Sequence, residues 1–151
     1  MLIMGIDPGI KGGVAWYCTV EKIYDCVPMP ATRVQLANLI KNLRVDYGVI
    51  KAAVESVHSM PGQGVSSTFK FGKGCGEILG ILAALNCEIL EPTPQAWKKV
   101  VLAGTAKDKD AAIQVAENLY PDINLVPKGC RKPSDGMADA VCIMHWLRQQ
   151  K

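Results

Sequence analysis

The sequence holds no C-x-x-C pair, no apolar run of membrane-spanning length, no internal repeat and no low-complexity tract, and its net charge is only +3 over 151 residues. Each absence removes a class. Without paired cysteines there is no zinc-ligand spacing. Cys18, Cys26, Cys75, Cys87, Cys130 and Cys142 are scattered, and Cys18, Cys87 and Cys142 sit in apolar segments where a thiol acts as a small hydrophobe. A reduced, intracellular chain is therefore expected rather than a disulfide framework. Without a spanning run, and with no signal peptide ahead of the first strand, a cytoplasmic protein with no membrane partner is expected. The mild charge permits nucleic acid as a partner without arguing for it. Only two histidines are present, and His145 reads as structural.

What is present suffices for one domain over residues 1–151. Hydrophobic residues make up 49% of the chain, enough to bury a core. Leu2 to Ile6 is nearly all apolar, which predicts a strand buried on both faces. Gly13 to Thr19 and Ile23 to Val27 predict two further strands, forming an antiparallel meander with the first. Thr32 caps an amphipathic helix through Leu43. Val49 to Val57 is a fourth strand. His58 to Val65 is a loop, after which Ser66 or Ser67 caps a long helix ending near Asn86. Cys87 to Leu90 is a short fifth strand. Pro94 opens a helix, Lys107 to Leu119 forms another, and Ser134 to Gln149 is the last. The order β-β-β-α-β-α-β-α-α-α predicts an α/β fold, one mixed five-stranded sheet flanked by helices.

The first strand ends on Asp7, followed by Pro8, Gly9, Gly12 and Gly13. Glu55 ends the fourth strand. If those strands are parallel neighbours, both acids project from one sheet edge, where α/β proteins gather ligands. Asp135 and Asp139 are four apart on the last helix and share a face. Each has a plain alternative: an Asp-Pro-Gly turn, a solvated strand end, a helix-dipole complement. Asp139 is the hardest to dismiss, since it leads into the apolar run AVCIM and a buried carboxylate is costly alone. Four carboxylates converging from three segments would repel one another unless a cation joined them. Oxygen-only ligands favour Mg²⁺ or Mn²⁺, and two such ions suit phosphodiester hydrolysis. Small residues after Asp7 would let a phosphate backbone approach.

With these acids in place, GIDPGIKGGVAW, VESVHSMPGQGVSSTFKFGKGCGEILGIL and KPSDGMADAVCIMHW resemble the RuvC family of Holliday-junction resolvases, which have a ribonuclease H-like fold. The middle stretch looks closest to bacteriophage-encoded members. The resemblance implies a homodimeric crossover junction endodeoxyribonuclease that nicks four-way DNA symmetrically with two Mg²⁺ per site, leaving 5′-phosphate and 3′-hydroxyl ends. It assigns the family's acids to Asp7, Glu55 and Asp139. Many members carry the fourth acid three residues before the last; that slot here is Gly136, so Asp135 takes the role. The family's lysine near the active site corresponds to Lys109, with Lys107 a close rival. The family's wedge position, three residues after the second acid, is His58 here; Phe69 or Phe71 could replace it, although both also read as core residues.

Between Gln95 and Pro133 there are seven Lys/Arg against four Asp/Glu. Lys98, Lys99, Lys107 and Lys132, with Lys11, Lys70 and Lys73, are the candidate phosphate contacts; each alone equally reads as a solvated side chain. The long helix from Ser66, with its apolar ILGILAAL half, is the candidate dimer face. Three other readings compete. A sugar-kinase or actin-like ATPase would need a second domain and a second phosphate loop. A non-catalytic junction binder would lack one of the acids. A branched-DNA nuclease acting on flaps or forks shares every residue named.

Overall fold

The computed structural model describes residues 1–57, 64–106, 108 and 110–150. Leu2–Asp7 forms β1, Gly13–Cys18 β2 and Tyr24–Pro28 β3. Arg33–Tyr47 is α1, Ile50–Val54 β4, Val65–Ala84 α2 and Glu88–Leu90 β5. Pro94–Val101, Ala111–Leu119 and Asp135–Arg148 are α3, α4 and α5. The strands lie in the order β3-β2-β1-β4-β5. The first three form the expected antiparallel meander, while β4 pairs with β1, and β5 with β4, in parallel.

Local chemistry explains most element ends. Thr32 and Gln35 cap α1 reciprocally, each backbone N–H donating to the other's side chain at 3.2 Å. Thr93 caps α3 ahead of Pro94, and Ser134 accepts the Met137 N–H at 3.3 Å to open α5. Three boundaries differ most from expectation. Strand β4 is Ile50–Val54 rather than Val49 to Val57, so Glu55 lies just beyond the strand instead of ending it. Helix α2 starts behind Gly64, with no side-chain cap, rather than behind Ser66 or Ser67. Helix α4 starts behind Asp110, and Asp108, whose carboxylate accepts the Asp110 N–H at 3.0 Å, lies ahead of the helix rather than inside it; Lys107, the expected start, is outside the described residues.

Strand alternation divides the core. Leu2, Met4 and Ile6 of β1 pack with Leu36 and Ile40 of α1 and Ile78 and Leu82 of α2. Ile3 faces the other way, with Ala53 of β4 and the apolar side of α5. Helix α5 is buried along most of its length, and it crosses β1 very closely. A side chain at Gly5 would overlap the Ala140 carbonyl and the Met144 backbone. The absence of a Cβ at Gly5 thus sets how near α5 comes to the strand that carries Asp7. At the far end of α5, His145 Nδ1 lies 3.0 Å from the Tyr120 hydroxyl, which also accepts from Arg148 at 2.7 Å. His145 is structural, as its sequence context suggests. No helix among the described residues is long and apolar enough to cross a membrane. All six cysteines are free thiols.

Candidate active site

Register brings the first two acids together. Ile6 pairs with Val54 in the parallel β1–β4 ladder, and the Glu55 N–H continues it by donating to the Ile6 carbonyl at 3.0 Å. Glu55 therefore sits one residue past its strand, beside Asp7. Alternation places Asp7 with Ile3 and Gly5, and Glu55 with Ala53, on the face that α5 covers. The third and fourth acids descend from that helix. Asp139 directly precedes Ala140, whose carbonyl rests on Gly5. Asp135 lies one turn earlier, exposed, its Oδ1 accepting the Gly136 N–H at 3.0 Å.

The shift of the fourth acid has a steric cause. A side chain at Gly136 would overlap the Lys11 carbonyl and the Gly12 backbone. The slot that carries an acid in many RuvC-family sequences is closed here by the turn between β1 and β2. Gly136→Asp is accordingly expected to cost roughly 3 kcal/mol or more, since backbone rather than a flexible side chain must give way. A chemical denaturation curve measures it; a variant as stable as the parent would refute this account of the shift.

Asp7 and Asp139 both lie within reach of the charges of the other acids. Burial pushes the Asp7 carboxyl up to about 6. The Gly9 N–H, donating to its Oδ1 at 3.2 Å, opposes this, whereas the charges of Glu55 and Asp135 reinforce it. Asp139 is pushed up to about 7, first by burial; Lys98 opposes, and Asp7, Glu55 and Asp135 add to the rise. Glu55 is anchored instead by the buried Trp97 of α3, whose indole Nε1–H donates to its Oε1 at 2.8 Å.

The sequence reading missed Trp97, and it placed Lys98 only among the phosphate contacts. Lys98 Nζ lies 5.1 Å from the Trp97 ring centroid and is the cation that offsets Asp7 and Asp139. A tryptophan inside a short lysine-bearing helix was the available signal, because a buried indole N–H requires an acceptor.

A cleft of about 1000 Å³ opens between α3 and α5, lined among others by Lys98, Lys99, Thr105, Asp108, Asp135 and Asp139. Asp7 and Glu55 do not line it but lie within electrostatic reach of Asp139. A smaller cavity on the other side of Asp135 is lined by Lys11 and Lys132. Lys70 and Lys73 lie on α2, Lys73 at 3.9 Å from Glu77. Phe69 is 72% exposed and Phe71 half-buried, and neither joins a core cluster, so the core reading fails for both. His58, Lys107 and Lys109 lie outside the described residues.

Among the described residues no three His, Cys, Asp or Glu side chains are grouped to hold a metal ion. The carboxylates share one environment without converging on a point, as mutual repulsion favours. The donor set nonetheless fits a hard divalent cation. It offers only oxygen ligands, and two half-buried acids have pKa values raised by burial and by their neighbours, with Lys98 the one lysine among the described residues to offset them.

No family model and no curated protein matches the chain. Solved structures do. The structure described as T. thermophilus RuvC in complex with Holliday junction substrate aligns with a TM-score of 0.62 at 18% identity, covering 97% of this chain and 91% of that one. A second Thermus thermophilus RuvC structure gives 0.54 at 18% identity, over 97% and 92%. The yeast mitochondrial Holliday junction resolvase Ydc2 gives 0.57 at 15% identity, over 97% and 78%. The mixed five-stranded sheet with flanking helices is the ribonuclease H-like fold of these proteins.

Proposed function

We propose that the chain is a divalent-metal-dependent endonuclease that resolves four-way DNA junctions. The observation that carries this reading is the placement of Asp7 and Glu55 side by side at one sheet edge, beneath the helix that carries Asp135 and Asp139. The shared fold supports it, since both proteins with that fold named above are described as acting on, or bound to, Holliday junctions.

Asp7, Glu55 and Asp139 would hold a pair of Mg²⁺ ions, with Asp135 at the outer edge. Bound there, Mg²⁺ supplies Lewis-acid activation of water and positive charge at the leaving oxygen. The chain's own groups do the rest. The Trp97 indole fixes the orientation of Glu55. The Gly9 amide holds one oxygen of Asp7 and so sets its rotamer. Lys98 offsets the excess negative charge and can meet the phosphate as charge builds on it.

A two-fold substrate calls for a two-fold enzyme, and we propose a homodimer. The outer face of α2 supports it: side chains at Gly72, Gly76 and Gly80 would meet nothing within 4 Å, and these positions share one helix face. Light scattering should give twice the monomer mass.

The test of function is incubation with a labelled four-way junction, a flap and a linear duplex, each with Mg²⁺ and with EDTA. Paired, Mg²⁺-dependent nicks confined to the junction are expected. Equal cutting of the flap would widen the activity to branched DNA, and tight binding without cutting would leave a non-catalytic binder. Charge reversal at Lys98 and Lys99 together should also flatten the salt dependence of junction affinity by about two log units per log of salt. An unchanged slope would remove both lysines from the footprint.

A further inference from the structure

Helices α1 and α2 lie side by side on the sheet face opposite α5. At their far end, Arg44 of α1 donates to the Leu85 and Asn86 carbonyls just behind α2. At their near end, Arg33, the first residue of α1, meets α2 only at Glu77. The part of α2 from Val65 to Gly76 therefore extends past the start of α1. It does so at the acid end of the sheet, because α1 follows Pro28, which pairs with Gly13, and Gly13 pairs with Asp7.

Arg33 is badly placed for the stability of its own helix. A cation in the first turn opposes the helix dipole, and that turn contains no acid. Helix α2 accounts for its position. The Arg33 Nε–H donates to Glu77 Oε2 at 2.8 Å, Nη1 lies 3.9 Å from the Met29 sulfur, and Nη2 lies over Gly74, where a Cβ would approach it to 3.0 Å. The guanidinium is thus held in one orientation. Among the described residues its one hydrogen bond to an acid uses Nε–H, which leaves donors on both Nη groups. Lys73 Nζ lies 3.9 Å from the same Glu77, and Lys70 shares that face one turn earlier. Three cations therefore share one acid. The row begins beside the acids, since the Cys75 thiol is within electrostatic reach of both Arg33 and Asp7. Gly72, Gly76 and Gly80 lie on another side of α2, so the row leaves the proposed dimer face free.

We infer that Arg33, oriented by Glu77, grips a backbone phosphate of a DNA arm that leaves the acid edge along α2, with Lys73 and Lys70 meeting phosphates farther out. The inference rests on the nuclease reading above. A fixed guanidinium with free Nη donors suits a phosphate, and a row with excess positive charge suits a polyanion. Contacts of this kind set the direction of the arm without reading its sequence.

The test compares two neighbours of opposite charge. Junction affinity is measured in EDTA over a range of salt. Arg33→Gln should lower affinity by about tenfold at moderate salt and flatten the slope of log affinity against log salt by about one. Glu77→Gln removes the acid but keeps an oxygen to accept the Nε–H, so it should bind at least as tightly as the parent. A purely structural ion pair gives a different pattern: both variants melt earlier and neither moves the slope. The parent protein supplies a readout that needs no variant. Phenylglyoxal modifies free arginines, and bound junction should slow its attack on Arg33 several-fold relative to Arg44 at the far end of α1. If Arg33→Gln keeps the parental affinity and slope, if both variants lose affinity alike, or if DNA leaves Arg33 unprotected, the contact is wrong and the nuclease reading stands. If the parent binds no DNA, both fall.

Discussion

Asp7→Asn is expected to lower Mg²⁺-dependent cleavage of a four-way junction by about a thousandfold or more, with junction affinity in EDTA nearly unchanged. The size follows from position. Asp7 is half-buried at the end of β1, paired with Gly13 in the β1–β2 ladder, and within electrostatic reach of the other acids. On the proposed metal-dependent reading, losing its charge removes a ligand from a site whose cations would supply several kcal/mol of transition-state stabilisation, and about 4 kcal/mol corresponds to a thousandfold in rate. Affinity should be spared because the proposed phosphate contacts are the lysines around the two cavities, not Asp7. Asparagine is nearly isosteric and its amide oxygen can still accept the Gly9 N–H, so the fold is retained. The parent carries a companion signature. Asp7 and Asp139, raised to about 6 and about 7, must shed protons before taking up a cation, so cleavage should climb as pH rises through that range. Single-turnover rates across pH, beside equilibrium binding in EDTA, separate the two effects. A variant cutting at the parental rate would end the metal-site reading, and one that fails to bind would turn Asp7 into a DNA contact.

Much of this arrangement was legible because strand and helix periods are local. The alternation that buries Leu2, Met4 and Ile6, the Thr32 and Thr93 caps, and the four-residue spacing of Asp135 and Asp139 all lie within a few residues of each other in the chain. The ten-element order followed from them, whereas the pairing of Asp7 with Glu55 held only if β1 and β4 were parallel neighbours, which the sheet shows them to be. What stayed hidden depends on segments far apart in sequence. Trp97 reaches Glu55 across 42 residues, and no spacing rule announces that partnership. Gly136 reads as a missing acid until the Lys11 carbonyl is seen against it. Phe69 lies in an apolar-looking helix, but only Ile78 and Leu82 of α2 are fully buried, so its first half stays in solvent. Periodicity gave the type of each helix more surely than the depth to which it is covered.

Asp139→Asn should inactivate the enzyme and at the same time stabilise it, and the second effect identifies the buried charge. Asp139 sits between Ala138 and Ala140, both fully buried, and no described residue donates it a hydrogen bond. Its carboxyl is raised from 3.8 to about 7, chiefly by burial, with Lys98 the main opposing influence. A native pKa above the unfolded value means that the folded chain keeps a proton the unfolded chain has released. Stability from this group is therefore intact below 3.8 and falls as pH rises. The full cost of the charge is reached above about 7. With about 1.4 kcal/mol per pKa unit, and a discount for partial solvent access, that cost is on the order of 2–4 kcal/mol. Removing it at pH 8 without divalent ions should raise Tm by about 5–10 °C for a chain of this size, while at pH 4 the parent and the variant should melt nearly together. Added Mg²⁺ should raise the parent's Tm by binding the native state and leave the variant's almost unmoved. A variant less stable than the parent at pH 8 would show that Asp139 is satisfied by its surroundings. Equal Mg²⁺ shifts in both proteins would place the ion elsewhere. The expected pattern, stability gained where chemistry is lost, would show that the fold tolerates a repelling carboxylate on its most buried helix for the sake of the ion it holds.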